Sequence, residues 1–155
     1  MREQQQDASD ASEDAVLTRI GQTMMLLHGG DREEARNRFG RLWEQLGADG
    51  DPLQRCTLAH CMADAQDDPY DELAWDLRAL TAAEGVGGGG HVAVRALYPS
   101  LHLNLAADYV KLRRPDAARI HLDRARAASA TLDDDRYGAG VRAAIARLAE
   151  RLAAE

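Results

Sequence analysis

The sequence predicts an all-α protein in which antiparallel helical hairpins stack as a short superhelix, with a C-terminal helix that caps the stack. Three observations predict this fold. Alanine and leucine supply most of the apolar residues, which favours closely packed helices over sheets. Apolar residues recur at helical spacing in successive segments. Glycines and Asp-Pro pairs separate these segments at the positions where helices usually end and begin.

About seven helices are expected, and start and stop signals separate them. The first should end at Gly29-Gly30, and the second should begin at Asp31, where Glu34 completes a pattern like a capping box. The expected ranges, in chain order, are about 14–28, 31–47, 52–66, 69–83, 97–113, 115–129 and 137–153.

The remaining helices have their own signals. Asp51 and Asp68 each precede a proline, which places an N-cap carboxylate before proline at the first helical position. Pro115 serves the same purpose in the sixth helix. The acidic residues 133–135 precede the seventh helix, where negative charge favours a helix N-terminus.

Composition divides the chain into a tail and one domain. Residues 1–13 are polar and acidic, and we expect a disordered tail there. Residues 14–155 are then a single helical domain, with a flexible glycine-rich loop over residues 84–92. This loop lacks the Lys-Ser or Lys-Thr pair that a phosphate-binding loop needs. We therefore expect a plain connection between two hairpins.

The segment 101–128 carries the most specific pattern. It reads His102-x2-Leu105-Ala106-x2-Tyr109, followed by Ala118-x3-Leu122-x2-Ala125. This resembles one tetratricopeptide repeat (TPR), in which small residues allow two helices to pack closely and a tyrosine fills the gap between hairpins. The resemblance extends over residues 14–130. It implies a TPR-like scaffold that binds other proteins and has no catalytic residues.

Charge and targeting signals limit the classes of partner. The net charge is −7 and the middle of the chain is acidic, so nucleic acid is not expected as a partner. No apolar run is long enough to span a membrane, and the N-terminus lacks a signal-peptide core. Cys56 and Cys61 lie on different faces of one helix and cannot pair within it. These observations favour a cytoplasmic protein.

The resemblance to TPR proteins implies that the first helix of each hairpin lines a concave groove. The groove residues that this implies are Arg19, Gln22, Cys56, His60, Asp64, Leu103, Asn104 and Lys111. We expect them to bind a peptide or helix of a cytoplasmic partner, as an adaptor or regulator would. Some TPR proteins hold a C-terminal carboxylate with Lys, Arg and Asn, and Asn104 stands where such an asparagine would.

The sequence also allows other functions. Cys56, His60 and Asp64 share one face of the third helix, so a small-molecule or metal sensor could use a pocket around them. One ion cannot reach both ends of this row, which spans about 12 Å. We therefore assign no metal and no other cofactor. A homodimer through an uncovered end helix is a further option.

Overall fold

The computed structural model describes residues 2–85 and 92–154, with side chains for residues 15–85 and 94–154. Within these ranges the chain is all-α, as the sequence predicts, and contains no strand. The helices, in chain order, are α1 (Arg2–His28), α2 (Arg32–Leu46), α3 (Pro52–Asp64), α4 (Pro69–Glu84), α5 (Val92–Arg95), α6 (Tyr98–Lys111), α7 (Pro115–Ser129) and α8 (Arg136–Ala154).

Three antiparallel hairpins form the body of the fold, because each pair of long helices is joined by a short connection and packs closely. The hairpins are α1/α2, α3/α4 and α6/α7, and α8 packs on the third. Apolar clusters lie between successive hairpins. Phe39 and Leu58 belong to the first cluster, Leu80 and Leu105 to the second, and Leu122 with its neighbours on α8 to the third. The hairpin stack and the capping helix therefore agree with the sequence prediction.

The first and second hairpins also meet through two tryptophans. The rings of Trp43 and Trp75 pack edge to face, with their centroids 5.2 Å apart. Arg55 covers the ring of Trp43 at 4.2 Å from the ring centroid. Such aromatic pairs stabilise a contact beyond the area that they bury. Both indoles therefore pack at the contact between the first and second hairpins.

An aromatic stack joins α6 to α7 within the third hairpin. It consists of Tyr98, His102, Tyr109 and His121, and the two imidazole centroids lie 5.4 Å apart. Nδ1 of His102 lies 3.1 Å from Nδ1 of His121, so one ring donates a hydrogen bond and the other accepts it. Burial lowers the pKa of both histidines. The polar atoms that face each other in this stack are therefore paired.

Most of the predicted helix caps are present. The Asp51 carboxylate accepts a hydrogen bond from the Gln54 backbone N–H, and Asp68 accepts one from the Tyr70 N–H. Asp31 is different, because its side chain makes no cap hydrogen bond. The Glu34 carboxylate instead accepts from Arg38, at 2.9 Å, so the expected capping box does not form.

Two hairpin turns use the same backbone geometry with different residues. Gly30 has φ of 97°, and the Asp31 N–H bonds back to the Leu26 carbonyl. Arg113 has φ of 58°, and the Arg114 N–H bonds back to the Tyr109 carbonyl. Each is the backbone pattern of a Schellman C-cap, which normally uses glycine. The turn between α6 and α7 therefore keeps its shape without glycine, with some backbone strain at Arg113.

The structure differs from the sequence prediction near the N-terminus and near the glycine-rich loop. The first helix begins at Arg2 instead of near residue 14, so the segment expected as a disordered tail is helical. That segment is polar but contains no glycine or proline to stop a helix. The short helix α5 was not expected. Residues 86–91 of the predicted flexible loop lie outside the described residues.

Among the described residues, no helix has the length and apolarity that crossing a membrane requires.

Candidate functional site: a buried acidic cluster beside a polar row

Three helices bring polar side chains together where the second and third hairpins meet. Each contributes residues four apart, which lie on one face of a helix. The contributions are His60 and Asp64 from α3, Glu72 and Asp76 from α4, and Asn104 and Asp108 from α6. Close packing of α4 on both α3 and α6 turns these faces toward one another.

The centre of this region is an acidic cluster, formed by Glu72, Asp76 and Asp108. One carboxylate oxygen from each residue lies within 4.8 Å of the others. Asp76 is 4% exposed and Asp108 is 2% exposed, whereas Glu72 is half-buried. Three carboxyl groups therefore share a small space that is mostly closed to bulk water.

Few donors compensate the negative charge of the acidic cluster. Lys111 Nζ donates to Glu72 Oε1 at 2.7 Å, and this contact raises the pKa of Lys111. Burial, together with the neighbouring Asp76 and Glu72, raises the pKa of Asp108. Asp108 Oδ2 is buried and has no hydrogen-bond partner among the described residues. Burying an acceptor without a donor costs folding free energy, and a proton or a cation bound to this oxygen would remove that cost.

A polar row of His60, Asp64 and Asn104 borders the acidic cluster. The Asn104 amide nitrogen lies 3.0 Å from His60 Nδ1, within hydrogen-bond distance, and His60 Nε2 lies 3.9 Å from Asp64 Oδ2. His60 Nδ1 also lies 3.9 Å from Asp76 Oδ1, and contact with Asp76 raises the pKa of His60. Burial raises the pKa of Asp64. The row thus links the exposed surface of α3 to the buried acids.

Four of the predicted groove residues meet at this site, namely His60, Asp64, Asn104 and Lys111. Cys56 was predicted to face the groove, and that prediction is wrong. Its side chain is fully buried in the apolar cluster between α3, α4 and α6. Burial raises the pKa of its thiol to about 11, which favours the protonated form in this apolar environment.

Arg19 and Gln22 lie elsewhere. They line a separate groove of about 360 Å³, together with residues of α2 such as Glu34 and Arg38. The structure therefore does not bring them together with His60 and Asn104. Helical spacing placed them on the first helix of a hairpin, but packing between α1 and α2 decides which surface they share.

A further groove of about 390 Å³ lies between α6 and α8, and we call it the α6–α8 groove. It contains the predicted residues Leu103 and Asn104, and two exposed arginines from α8. Its lining residues are Leu103, Asn104, Ala107, Ala144, Arg147, Leu148 and Arg151. Neither arginine makes an ion pair within the described part of the chain.

No protein-family model, curated protein or solved structure matches the chain. The role of the site is therefore inferred from its contacts and chemistry.

Sequence reasoning did not find Glu72, Asp76, Asp108, Arg147 or Arg151. A usable signal was present for the acids, because Glu72/Asp76 and Asn104/Asp108 are polar pairs at four-residue spacing on otherwise apolar helix faces. The arginines on α8 had no such signal. Arginines four apart on an exposed helix are common, and only the packing of α8 beside α6 brings them to Asn104.

Proposed function

We propose that this protein is a non-enzymatic interaction module, an adaptor or regulator, that binds an extended peptide of a partner protein in the α6–α8 groove. The observation that carries the proposal is the meeting of Asn104 with Arg147 and Arg151 around an apolar floor. A peptide carboxylate would bind the two arginines, and a neighbouring apolar side chain would contact Leu103 and Leu148.

The charges of the groove support a carboxylate as the recognised group. Arg147 and Arg151 are four residues apart on α8, so their guanidinium groups lie on the same side of the helix. Both are exposed, and neither forms an ion pair with a carboxylate among the residues that the structure describes, so no such pair has to break when a peptide binds. Guanidinium groups bind carboxylates through paired N–H donors, which gives geometric specificity as well as affinity.

The resemblance to TPR proteins points the same way, and we take the fold to be TPR-like on that basis. In that family, Asn, Lys and Arg side chains from neighbouring hairpins can hold a C-terminal carboxylate. Here the basic residues come from the capping helix, which is a departure from the pattern expected for the hairpins. Lys111 is not free for this task, since it already binds Glu72.

The two cysteines are free and buried, which fits a reducing compartment. We propose the cytoplasm as the location, and a cytoplasmic protein with an accessible acidic segment or C-terminus as the partner.

The test uses a library of peptides with random C-terminal residues, immobilised through their N-termini, and the same library with amidated C-termini. We expect the wild-type protein to select peptides with a free carboxylate. The double variant R147A/R151A should bind the selected peptides at least about tenfold more weakly than the wild type does. This corresponds to a loss of binding free energy of about 1.4 kcal/mol or more.

The matched control is R119A/R126A, which removes two exposed arginines from α7. It should bind as the wild type does. Equal binding of amidated and free peptides, or equal binding by R147A/R151A, would contradict the proposal. So would the failure of the wild-type protein to select any peptide from the library.

A further inference from the structure

We propose that the acidic cluster is a binding site for one divalent cation of the oxygen-preferring class, with Glu72, Asp76 and Asp108 as its protein ligands. The site is separate from the α6–α8 groove, because it lies between α4 and α6 and shares no lining residue with that groove. Either proposal can therefore fail without the other.

The geometry of the cluster fits one ion. Ligand atoms on opposite sides of a cation at 2.4 Å are about 4.8 Å apart, and adjacent ligand atoms are closer. The three carboxylate oxygens lie within 4.8 Å of one another, so a single ion can contact all of them. Two of the ligands come from one helix and the third comes from its neighbour, so the packing of α4 on α6 holds the set together.

Asp108 provides a second and independent indication of a ligand. This side chain is 2% exposed, and its Oδ2 atom is buried without any hydrogen-bond partner among the described residues. Buried carboxylate oxygens in proteins are almost always hydrogen-bonded, paired with a cation or coordinated to a metal. An ion at the centre of the cluster would satisfy this oxygen together with its two neighbours.

The basic side chains around the acidic cluster compensate only part of its negative charge. Within the described residues, Lys111 is the one basic side chain that donates to the cluster, and it bonds to Glu72 at its edge. His60 Nδ1 lies 3.9 Å from Asp76 Oδ1, beyond hydrogen-bond distance, and 3.0 Å from the Asn104 amide nitrogen. Three acids thus face one lysine and one imidazole, which leaves net negative charge where a cation would lie.

The donor set determines the class of ion. Carboxylate oxygens suit Mg²⁺, Ca²⁺ and Mn²⁺, whereas thiolates and multiple imidazoles would favour softer metals such as zinc. Both cysteines of the chain are buried in apolar clusters, and neither belongs to the acidic cluster. Three protein ligands leave positions for water, as Mg²⁺ and Mn²⁺ usually require.

The experiment uses the full chain after treatment with a chelator and removal of the chelator. Isothermal titration with MgCl₂, CaCl₂ and MnCl₂ measures binding, and the melting temperature is recorded at each concentration. We expect saturable binding of one ion per chain for at least one of the three salts. The melting temperature should rise with the concentration of that salt, since the ion binds the folded state.

Two variants test the assignment of ligands. Asp108→Asn keeps the shape of the side chain but removes a carboxylate, and it should weaken cation binding at least tenfold while helicity is retained. Glu72→Gln lies at the half-buried edge of the cluster and gives a second test if Asp108→Asn does not fold. The matched control is Asp123→Asn, an exposed carboxylate on α7 that should leave binding unchanged.

Three results would overturn the proposal. The first is the absence of saturable binding for all three cations. The second is wild-type affinity in both Asp108→Asn and Glu72→Gln. The third is a stoichiometry well above one that Asp123→Asn reduces as much as Asp108→Asn does, which would indicate general attraction of cations to an acidic surface.

Discussion

The two sides of α6 carry polar clusters of opposite kinds. On one side, His102 packs on His121 in the aromatic stack, and the two Nδ1 atoms that face each other are paired. On the other side, Asp108 faces two further acids, and one of its buried oxygens has no partner among the described residues. Both clusters lie at the contact of neighbouring helices and combine buried with half-buried side chains, but only in the aromatic stack are the facing polar atoms paired.

This difference separates a structural role from a ligand-binding role. Buried polar groups that are hydrogen-bonded to each other rigidify a helix contact and need nothing from solution. Buried groups of like charge, with donors only at their edge, are destabilising unless something else enters. The aromatic stack therefore joins α6 to α7, whereas the acidic cluster leaves a place for a cation between α4 and α6.

The largest expected effect is at Asp108. In cation-free protein, Asp108→Asn should raise the free energy of unfolding by about 1–3 kcal/mol, because an amide donor replaces an oxygen that has no partner. Urea denaturation with and without MgCl₂ measures this. The exposed variant Asp123→Asn should change stability by less than about 0.5 kcal/mol. A loss of stability in cation-free Asp108→Asn would show that the carboxylate is already satisfied.

The aromatic stack should respond to pH. Burial lowers the folded-state pKa of His102 and His121, so the unfolded chain binds protons first as pH falls through about 6.5. The stack then contributes less stability at lower pH, with a limit of about 1.4 kcal/mol per pH unit for each proton. His60 has a raised pKa and acts in the opposite direction, so the wild-type curve combines both effects.

Comparison with His121→Phe isolates the contribution of the stack. Phenylalanine keeps a ring beside Tyr109 and His102 but removes one titrating group. Thermal unfolding of both proteins between pH 7 and pH 5 should show a smaller loss of stability on acidification in the variant. Parallel curves would mean that the stack does not control this part of the pH dependence.

A moderate effect is expected at Asn104, which links the polar row to the α6–α8 groove. Asn104→Ala removes the hydrogen bond to His60 and should lower the free energy of unfolding by about 0.5–1.5 kcal/mol. Chemical denaturation checks this, with Asn37→Ala on the exposed face of α2 as the control. Equal changes in the free energy of unfolding of the two variants would contradict a stabilising hydrogen bond between Asn104 and His60.

The smallest effect is expected at Lys111. Its side chain is 55% exposed, and exposed ion pairs contribute about 0.2–1 kcal/mol. Lys111→Met should therefore reduce the stability of cation-free protein by no more than this amount. At saturating MgCl₂ the difference between variant and wild type should shrink, because the ion then supplies the charge that Lys111 provides to Glu72. If the difference in stability between Lys111→Met and the wild type stayed the same at saturating MgCl₂, Lys111 would not compensate the charge of the acidic cluster.

The fold was largely predictable because its signals are local. Proline after Asp51 and Asp68 gave helix starts that the structure reproduces with side-chain caps. The start of α1 was not predictable in this way, since a polar composition that suggests disorder also contains good helix formers. Arg113 is a further limit, because a positive φ at arginine has no sequence signal.

The site was predictable only in part. Helical spacing placed His60 and Asp64 on one face of α3, and the resemblance to tetratricopeptide repeats implied Asn104 as a groove residue on α6. The sequence does not show how deeply a side chain is buried. For that reason Cys56 was predicted to face the groove, although it is fully buried. Asp76 and Asp108 come from different helices, so their meeting depends on how α4 packs on α6.

The most direct test of the contrast between the two sides of α6 is a crystal structure grown with MnCl₂, with anomalous scattering recorded to locate manganese. We expect one strong anomalous peak between Glu72, Asp76 and Asp108, about 2.0–2.6 Å from an oxygen of each, and none at the aromatic stack. Electron density with the three carboxyl groups hydrogen-bonded to one another or to water, and no peak between them, would contradict the claim.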